Sequence, residues 1–300
     1  MFLLVDGSHM LHRILRANPG QEGLGGKFGG VAGFLRSLRY TLKNVTVSRC
    51  FVVWDGGLSA RRRSLLPEYK LRGEKPEDLS YRDIFLFTRG YIDLLLPLLR
   101  VTPVLIDGME GDDVIWEVRS VAFELGHTPC VIVSEDKDFY QMVCPHTSLY
   151  RPIRREYVTE ESLGKTSQYL LFHKAICGDR SDNIPGVPGV GKVTAESLLQ
   201  ETFSPTLDSL KEVSEASENK RARKVADNMD IVERNLMLVR LGLEEFSSAQ
   251  LDRLNSLVEN QPNGDFDQAL SKFLDFGFDE LAHNFYEWSV PFQRIGGTHA

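Results

Sequence analysis

The chain has 300 residues, of which 42% are hydrophobic and 26% are charged, and its formal net charge is −7. This length and composition are those of a globular protein with one large domain or two smaller ones, and they exclude a miniprotein that folds only with disulfide cross-links. The four cysteines have no metal-binding spacing, which excludes a zinc-finger module. No apolar run approaches the roughly 20 residues of a membrane helix, which excludes a protein that spans the membrane by helices.

The sign of the charge and the first residues narrow the class of protein further. A negative net charge taken alone argues against a nucleic-acid partner, because nucleic-acid-binding proteins are usually basic. Acidic residues that bind cations are neutralised in use, however, so the placement of the charges decides. The apolar residues 1–5 are too few for a signal peptide and lack a basic leader, which predicts a cytoplasmic protein.

The first half of the chain alternates short apolar runs with amphipathic stretches. Runs typical of buried parallel strands occur at residues 2–5, 51–54, 102–106 and 130–134. Helical patterns lie between them at residues 31–42, 81–99 and 112–125. This alternation predicts an α/β core over residues 1–165, with a mostly parallel central sheet flanked by helices. The glycine-rich stretch 20–30 predicts a flexible loop.

Acidic residues follow each of the four predicted strands. In chain order they are Asp6, Asp55, Asp107 with Glu110, and Asp136 with Asp138. The carboxyl ends of parallel strands meet at one edge of a sheet, where ligands bind, so we expect these carboxylates to lie close together. Solvation at a strand end explains any one of them, but it does not explain an acid after every strand.

A basic segment follows Asp55 along the chain. Its basic residues are Arg61, Arg62, Arg63, Lys70, Arg72 and Lys75. Tyr69 lies among them and offers a ring that could stack on a nucleobase. A solvated helix face explains this segment equally well when it is taken alone, whereas its position beside an acidic edge favours a nucleic-acid partner.

After about residue 165 the pattern predicts helices only, in a helical region over residues 166–300. The candidate helices are residues 168–177, 192–200, 229–241 and 267–274, with a polar, acidic helix within 204–219. A second basic cluster, residues 220–224, lies in this region.

The segment Gly186-Val-Pro-Gly-Val-Gly-Lys192 nearly matches a phosphate-binding P-loop. However, Val193 stands where that loop needs Ser or Thr, and no strand precedes it. The better interpretation is a hairpin between two helices, within a motif at about residues 178–200. Its glycines let backbone N–H groups approach a DNA phosphate regardless of sequence, and Lys192 adds positive charge. A purely structural glycine turn is the alternative.

Nine acidic residues follow the strands or precede the hairpin: Asp6, Asp55, Glu110, Asp112, Asp113, Asp136, Asp138, Asp179 and Asp182. Two like charges about 4 Å apart repel by roughly 4 kcal/mol at an effective dielectric constant of 20, so this cluster requires bound cations or protonated members. Oxygen ligands favour Mg²⁺ or Mn²⁺. Such ions serve phosphoryl chemistry, one activating water and a second stabilising the leaving oxygen. The sequence therefore predicts a metal-dependent nuclease.

Five motifs in this order resemble the 5′-nuclease family, which includes phage 5′–3′ exonucleases, flap endonucleases and the 5′-nuclease domain of bacterial DNA polymerase I. The motifs are Val5-Asp-Gly-Ser8, Leu66-Pro-Glu-Tyr-Lys70, Gly108-Met-Glu-Gly-Asp-Asp113, Ser134-Glu-Asp-Lys-Asp138 and Gly178-Asp-Arg-Ser-Asp-Asn-Ile-Pro-Gly-Val-Pro-Gly-Val-Gly-Lys192. Together they extend over about two-thirds of the chain, as far as about residue 199.

The resemblance implies a structure-specific 5′-nuclease that hydrolyses phosphodiester bonds by two-metal-ion catalysis during DNA replication or repair. The implied partners are DNA with a 5′ flap, duplex DNA with a free 5′ end, and RNA primers in RNA–DNA hybrids, with a monomer as the default state. The implied catalytic residues are Lys70, Asp6, Asp55, Glu110, Asp112, Asp136 and Asp138. The implied setting is the cytoplasm of a bacterial or phage-infected cell.

The resemblance also implies roles within the site. The first metal site would consist of Asp6, Asp55, Glu110, Asp112 and Asp113. Asp136 and Asp138 would lie between the sites, and Asp179 and Asp182 would hold the second ion. Lys70 would contact the scissile phosphate at the base of a helical arch formed by about residues 58–90. The implied DNA-binding residues are Tyr69, Lys70, Arg72, Gly186, Val187, Gly189, Val190, Gly191 and Lys192, and the carbonyl groups of the hairpin could hold K⁺.

Two departures and two alternatives accompany the resemblance. The family often has an arginine three residues after the lysine at position 70, where this chain has Gly73, so Arg72 is a candidate substitute. Little after about residue 225 resembles the family. The alternatives are a DNA-binding module that has lost catalysis, which the complete acidic set and Lys70 disfavour, and a PIN-type ribonuclease, which the hairpin and the long arch segment disfavour.

Overall fold

The computed structural model describes residues 1–17, 28–43, 45–71, 76–202 and 205–297. Most of the glycine-rich stretch predicted to be a loop lies outside these residues, as do Arg72 and Lys75 of the basic segment.

A six-stranded sheet forms the centre of the first half of the chain. Its strands are β1 (Phe2–Asp6), β2 (Arg49–Trp54), β3 (Thr102–Leu105), β4 (Cys130–Val133), β5 (Thr147–Arg151) and β6 (Glu156–Val158). Their order across the sheet is β3-β2-β1-β4-β5-β6, and all neighbours are parallel except the antiparallel pair β5 and β6. The prediction of a mostly parallel central sheet is therefore confirmed, and β1 to β4 coincide with the four apolar runs.

Helices cover both faces of this sheet. They are α1 (Gly7–Ala17), α2 (Gly29–Leu42), α4 (Pro76–Leu95) and α5 (Gly111–Glu124), whereas the short helix α3 (Ala60–Leu65) contributes no residue to the cores on either face. Side chains of a strand alternate between the faces, so Leu3 and Val5 belong to the core beneath α2 and α4, whereas Phe2 and Leu4 belong to the core beneath α5. This two-faced burial explains why β1 is a continuous apolar run.

The second half contains a helical unit with its own core. Its helices are α7 (Ser167–Cys177), α8 (Lys192–Gln200), α9 (Leu207–Ala216), α10 (Lys220–Ala226) and α11 (Met229–Val239), whereas Leu163 of the preceding helix α6 (Glu160–Leu163) packs against the α/β core. Phe172, Leu198, Leu210 and Val232 are buried in that core. The prediction of helices only is wrong at one place, because β7 (Gly178–Asp179) and β8 (Ile184–Pro185) form a small antiparallel sheet between α7 and α8.

The last helices pack on the α/β core. They are α12 (Ser248–Glu259), α13 (Phe266–Asp275), α14 (Asp279–His283) and α15 (Phe285–Gln293). Phe273, Phe285 and Phe292 lie in the same hydrophobic core as Phe34 and Trp54. A domain boundary near residue 165 stays a prediction. Among the described residues, no helix is long and apolar enough to cross a membrane.

Candidate active site and nucleic-acid interface

The order of the strands places β1 at the switch point of the sheet. The chain proceeds from β1 through β2 to β3 on one side and then returns to β4 on the other, which opens a crevice beyond the carboxyl end of β1. Asp6 is the last residue of β1, Asp55 follows β2 and Asp136 follows β4. These are the positions that the acidic strand ends predict.

Asp6 occupies the centre of this edge. Its Oδ1 accepts from the backbone N–H of His9 at 2.9 Å, and its Oδ2 accepts from the Ser134 hydroxyl at 2.9 Å. Burial raises the pKa of Asp6 to about 7, and the nearby charges of Asp55 and Asp136 add to the rise. A carboxyl group held in this way is costly to ionise unless a cation accompanies it.

Asp55 is held against the start of α5. Its Oδ1 accepts from the backbone N–H of Gly111 at 2.6 Å, and its own backbone N–H donates to the Ser8 hydroxyl at 2.8 Å. A Cβ atom at position 111 would lie 2.8 Å from that carboxylate oxygen, so glycine allows the contact. The backbone of α5 thus fixes the direction of Asp55.

Glu110 precedes α5 and binds the base of the arch segment. Its carboxylate accepts from the Ser59 N–H at 3.0 Å, from the Tyr69 hydroxyl at 3.1 Å and from the Lys70 ammonium. Burial alone would raise the pKa of Glu110, but the charges of Lys70 and Arg62 lower it below its ordinary value. The Lys70 ammonium therefore lies directly at the acidic edge.

Tyr69 has a role that differs from the predicted one. Its ring is only 2% exposed and its hydroxyl donates to Glu110. A ring buried to this extent is not available to stack on a nucleobase, so the prediction for Tyr69 is corrected to an internal contact.

Asp112 and Asp113 are neighbours in the first turn of α5 with different surroundings. Asp112 faces the crevice and Lys70, and burial together with the Asp113 charge raises its pKa well above the ordinary value. Asp113 is 1% exposed and accepts from both terminal nitrogens of the Arg62 guanidinium. Of the nine predicted acids, Asp113 is the one that does not line the crevice.

Asp138, Asp179 and Asp182 form a second acidic group. One carboxylate oxygen from each lies within 4.8 Å of the other two, which is close enough for a shared metal ion. Asp179 belongs to β7 and Asp182 to the turn before β8, so the small sheet brings them towards Asp138. Burial alone would raise the pKa of Asp179, but hydrogen bonds from Lys174 and Ser181 lower it to about 2.

Lys174 is a member of this group that the sequence pattern does not single out. Its ammonium lies 2.6 Å from Asp138 Oδ2 and 2.8 Å from Asp179 Oδ2. The only signal in the sequence is a lysine in the last turn of α7, and a cation is common at that position in any helix.

The two acidic groups share one open groove. It consists of a cleft of about 860 Å³ around Asp6 and Asp55 and a cleft of about 1110 Å³ around Asp138 and Asp179. Both clefts are lined by His9, Lys70, Asp112, Asp136, Ser181 and Asp182. The first cleft is also lined by His12 of α1 and by Arg82, Phe85, Leu86 and Arg89 of α4. The groove therefore combines an acidic floor with a basic and aromatic wall.

The predicted glycine hairpin lies at one end of the second cleft, which Val190, Gly191 and Lys192 line. Val187 is 2% exposed and anchors the turn in the helical core. Gly189 has φ +76, and a Cβ atom there would lie 3.1 Å from the Lys224 ammonium. The second basic cluster thus reaches the hairpin.

The first part of the basic segment is only partly directed at solvent. Arg63 is exposed, but Arg62 is buried, and Arg61 is bound to Glu244 and to the carbonyl of Met237. The expectation that this segment offers its positive charge to a nucleic acid is therefore corrected for Arg62, which is buried, and Arg61 is already paired with Glu244.

Two family profiles match this chain. Residues 1–168 match the 5′–3′ exonuclease N-terminal resolvase-like domain, and residues 166–261 match the 5′–3′ exonuclease C-terminal SAM fold. The flap endonuclease Xni of Shewanella woodyi is 30% identical over 261 residues, which are 84% of this chain and 97% of that protein. DNA polymerase I of Rhizobium leguminosarum is 30% identical over 275 residues, which are 86% of this chain but only 26% of the polymerase.

Solved structures share the fold. T5 5′-exonuclease with bound divalent zinc ions superposes with a TM-score of 0.73 at 20% identity, covering 86% of this chain and 98% of the other. A T5 D15 flap endonuclease in a pseudo-enzyme-product complex with DNA and metal ions gives a TM-score of 0.65 at 18% identity, covering 96% and 98%. At these identities the superpositions show the fold.

Proposed function

This chain belongs to the 5′–3′ exonuclease family, and from that premise we propose that it is a structure-specific 5′-nuclease. It hydrolyses phosphodiester bonds of DNA at 5′ flaps, at 5′ ends and beside RNA primers during replication or repair. The observation that carries this proposal is the groove in which eight carboxylates face Lys70 and a basic wall. A protein that only bound DNA would gain nothing from that number of carboxylates beside a phosphate backbone.

The carboxylates fit divalent cations. They are oxygen donors, which Mg²⁺ and Mn²⁺ prefer, and three of them already lie within 4.8 Å of one another. We propose one site formed by Asp6, Asp55, Glu110 and Asp112 and a second formed by Asp138, Asp179 and Asp182, with Asp136 between them. When bound, such ions supply Lewis-acid stabilisation of the charge that develops in phosphodiester hydrolysis.

The chain's own cationic groups complete the chemistry. Lys70 lies beside Glu110 and Asp112, where its ammonium can bind the scissile phosphate and stabilise the charge on its oxygens. Its backbone has φ 49, and its N–H donates to the carbonyl of Asp182 at 3.0 Å. That contact couples the position of Lys70 to the turn that contains Asp182, one member of the second acidic group.

The walls of the groove suit the two parts of a flap substrate. Arg82 and Arg89 can pair with the phosphates of a single strand, while Phe85 and Leu86 offer apolar surface to its bases. We propose that the hairpin over residues 186–192 binds the duplex through backbone N–H groups and Lys192, with Lys224 beside it. Its carbonyl groups are the proposed site for K⁺.

The names of the relatives support a proposed setting. The similar proteins are bacterial polymerases and flap endonucleases and a phage exonuclease, so we propose a bacterial or phage enzyme that acts in the cytoplasm. A monomer is the proposed default state.

A labelled 5′-flap substrate tests the proposal. Wild-type protein with Mg²⁺ should release the flap, and Lys70→Ala should lose turnover by about 10²–10³-fold, since an oriented charge-stabilising group is worth that much, while DNA affinity changes little. Arg63→Ala, an exposed neighbour, is the matched control and should retain turnover. Absence of cutting by folded wild-type protein with Mg²⁺ or Mn²⁺ would refute the nuclease.

A parallel assay separates the proposal from a ribonuclease. The same flap is offered as all-DNA, as an RNA 5′ segment on DNA, and as single-stranded RNA. Cutting of the first two supports a replication nuclease, whereas cutting confined to the third favours the PIN-type ribonuclease.

A further inference from the structure

Arg62 is buried directly behind the acidic groove. Its side chain is 1% exposed, and its Nη2 donates to Asp113 Oδ1 at 2.9 Å while Nη1 donates to the other oxygen. Its Nε donates to the carbonyl of Leu238 at 2.9 Å. All three nitrogens thus have acceptors, and the guanidinium joins α3, α5 and the end of α11.

The Arg62 contact turns Asp113 away from the groove. Asp113 is 1% exposed and does not line either cleft, although its neighbour Asp112 lines both. Consecutive helical residues point about 100° apart, so one of the two must turn inward when the other faces the groove. A carboxylate whose two oxygens are both bound by a buried guanidinium is neutralised and has its main acceptor directions filled.

Arg62 also contacts Glu110. Its Nη1 lies 3.6 Å from Glu110 Oε1, which accepts the Ser59 N–H, while Oε2 accepts from Tyr69 and Lys70. Glu110 stands at the N-cap position of α5 but makes no capping hydrogen bond there. Its carboxylate is instead directed by the arch base, and Arg62 supplies the positive charge behind it.

We propose that Arg62 is a positioning residue of the nuclease site and that Asp113 is its anchor rather than a metal ligand. By neutralising Asp113 and attracting Glu110, Arg62 sets the direction in which Glu110 and Asp112 face the groove. This inference rests on the proposed function, because positioning matters only where those carboxylates bind cations.

The alternative is a salt bridge with a structural role only. Pairs of this kind can often be replaced by apolar residues without loss of stability, whereas removal of one partner leaves the other charge buried and unpaired. An apolar pair at positions 62 and 113 would therefore preserve folding and remove any positioning effect. That difference makes the two explanations separable.

Calorimetric titration of the DNA-free protein with Mn²⁺ provides a readout that does not depend on activity. The variants are Arg62→Met, Arg62→Lys, Asp113→Asn and the double variant Arg62→Met with Asp113→Leu, and Arg63→Met is the exposed control. We expect the double variant to melt near wild type yet to bind Mn²⁺ roughly 10–100-fold more weakly, as is typical when groups that orient metal ligands are lost. Arg62→Lys keeps the positive charge but not the planar guanidinium, so it should lose less Mn²⁺ affinity. Arg63→Met should bind Mn²⁺ as wild type does.

Two results would overturn the inference. Wild-type Mn²⁺ affinity in the double variant would reduce Arg62 to a structural role. Loss of one bound ion in Asp113→Asn, with normal binding in Arg62→Met, would make Asp113 a ligand. A wild-type protein that fails to cut flaps while this Mn²⁺ series behaves as expected would refute the proposed function alone.

Discussion

Among single residues, two lysines neutralise part of the negative charge of the groove. The Lys70 ammonium contacts Glu110, and the Lys174 ammonium contacts Asp138 and Asp179. Burial alone would lower the pKa of Lys174, but those two carboxylates raise it above its ordinary value, so it is charged at neutral pH. Each lysine therefore offsets part of the repulsion within one acidic group, and a divalent cation would take over that role.

Lys174→Met tests this view in the absence of DNA. Without metal, the variant should unfold more easily than wild type by about 1.5–3 kcal/mol, because two carboxylates lose a charged hydrogen-bond donor. Saturating Mg²⁺ should raise the melting temperature of the variant more than that of wild type, since bound cations replace the missing ammonium. Melting curves in EDTA and in Mg²⁺ measure both effects, with Lys211→Met as the exposed control. Equal Mg²⁺ stabilisation of both proteins would contradict the exchange of lysine for metal.

Among the strands, the sequence predicts those that form a continuous apolar run and misses those that are short or only half buried. The runs that become β1 and β2 are buried on both faces and are apolar throughout, so they are recognisable. β5 (TSLYR) buries alternate residues only, and β7 and β8 have two residues each, so no apolar run marks them. The acidic edge follows from strand ends, whereas the inward orientation of Asp113 involves a contact with Arg62, which is 51 residues away in sequence.

Two glycines of the hairpin allow a matched comparison. Gly189 has φ +76, a conformation that costs a residue with a side chain about 1–2 kcal/mol, and its added Cβ would approach the Lys224 ammonium. Gly191 has φ −112, with no atom within 4 Å of an added Cβ. Gly189→Ala should therefore weaken duplex binding at least tenfold, whereas Gly191→Ala should retain stability and lose less affinity. Fluorescence anisotropy with a labelled duplex measures the difference, and equal losses would show that the left-handed turn at Gly189 is not required.

In the molecule as a whole, the last helices share a hydrophobic core with the first strands and helices. The family profile ends at residue 261, but α13 to α15 continue into the core beneath the sheet. Phe276 also contacts Phe28 at 5.0 Å and Tyr91 at 4.9 Å between ring centroids, so this segment supports both α2 and the arch helix α4. The groove is thus supported from behind by residues that the family motifs do not include.

Phe273→Ala tests whether the α/β core and the last helices unfold as one unit. Phe273 is fully buried and packs against Phe278, Phe285 and Trp288, so its truncation should cost about 3–5 kcal/mol. Because this core also contains Trp54, whose indole donates to Asp93 of α4 at 2.7 Å, the loss should lower the main transition reported by tryptophan fluorescence. Leu274→Ala, at a 55% exposed neighbour, should change it little. A separate early transition in Phe273→Ala, with the main transition unchanged, would instead mean that the last helices are an independent layer on an autonomous nuclease core.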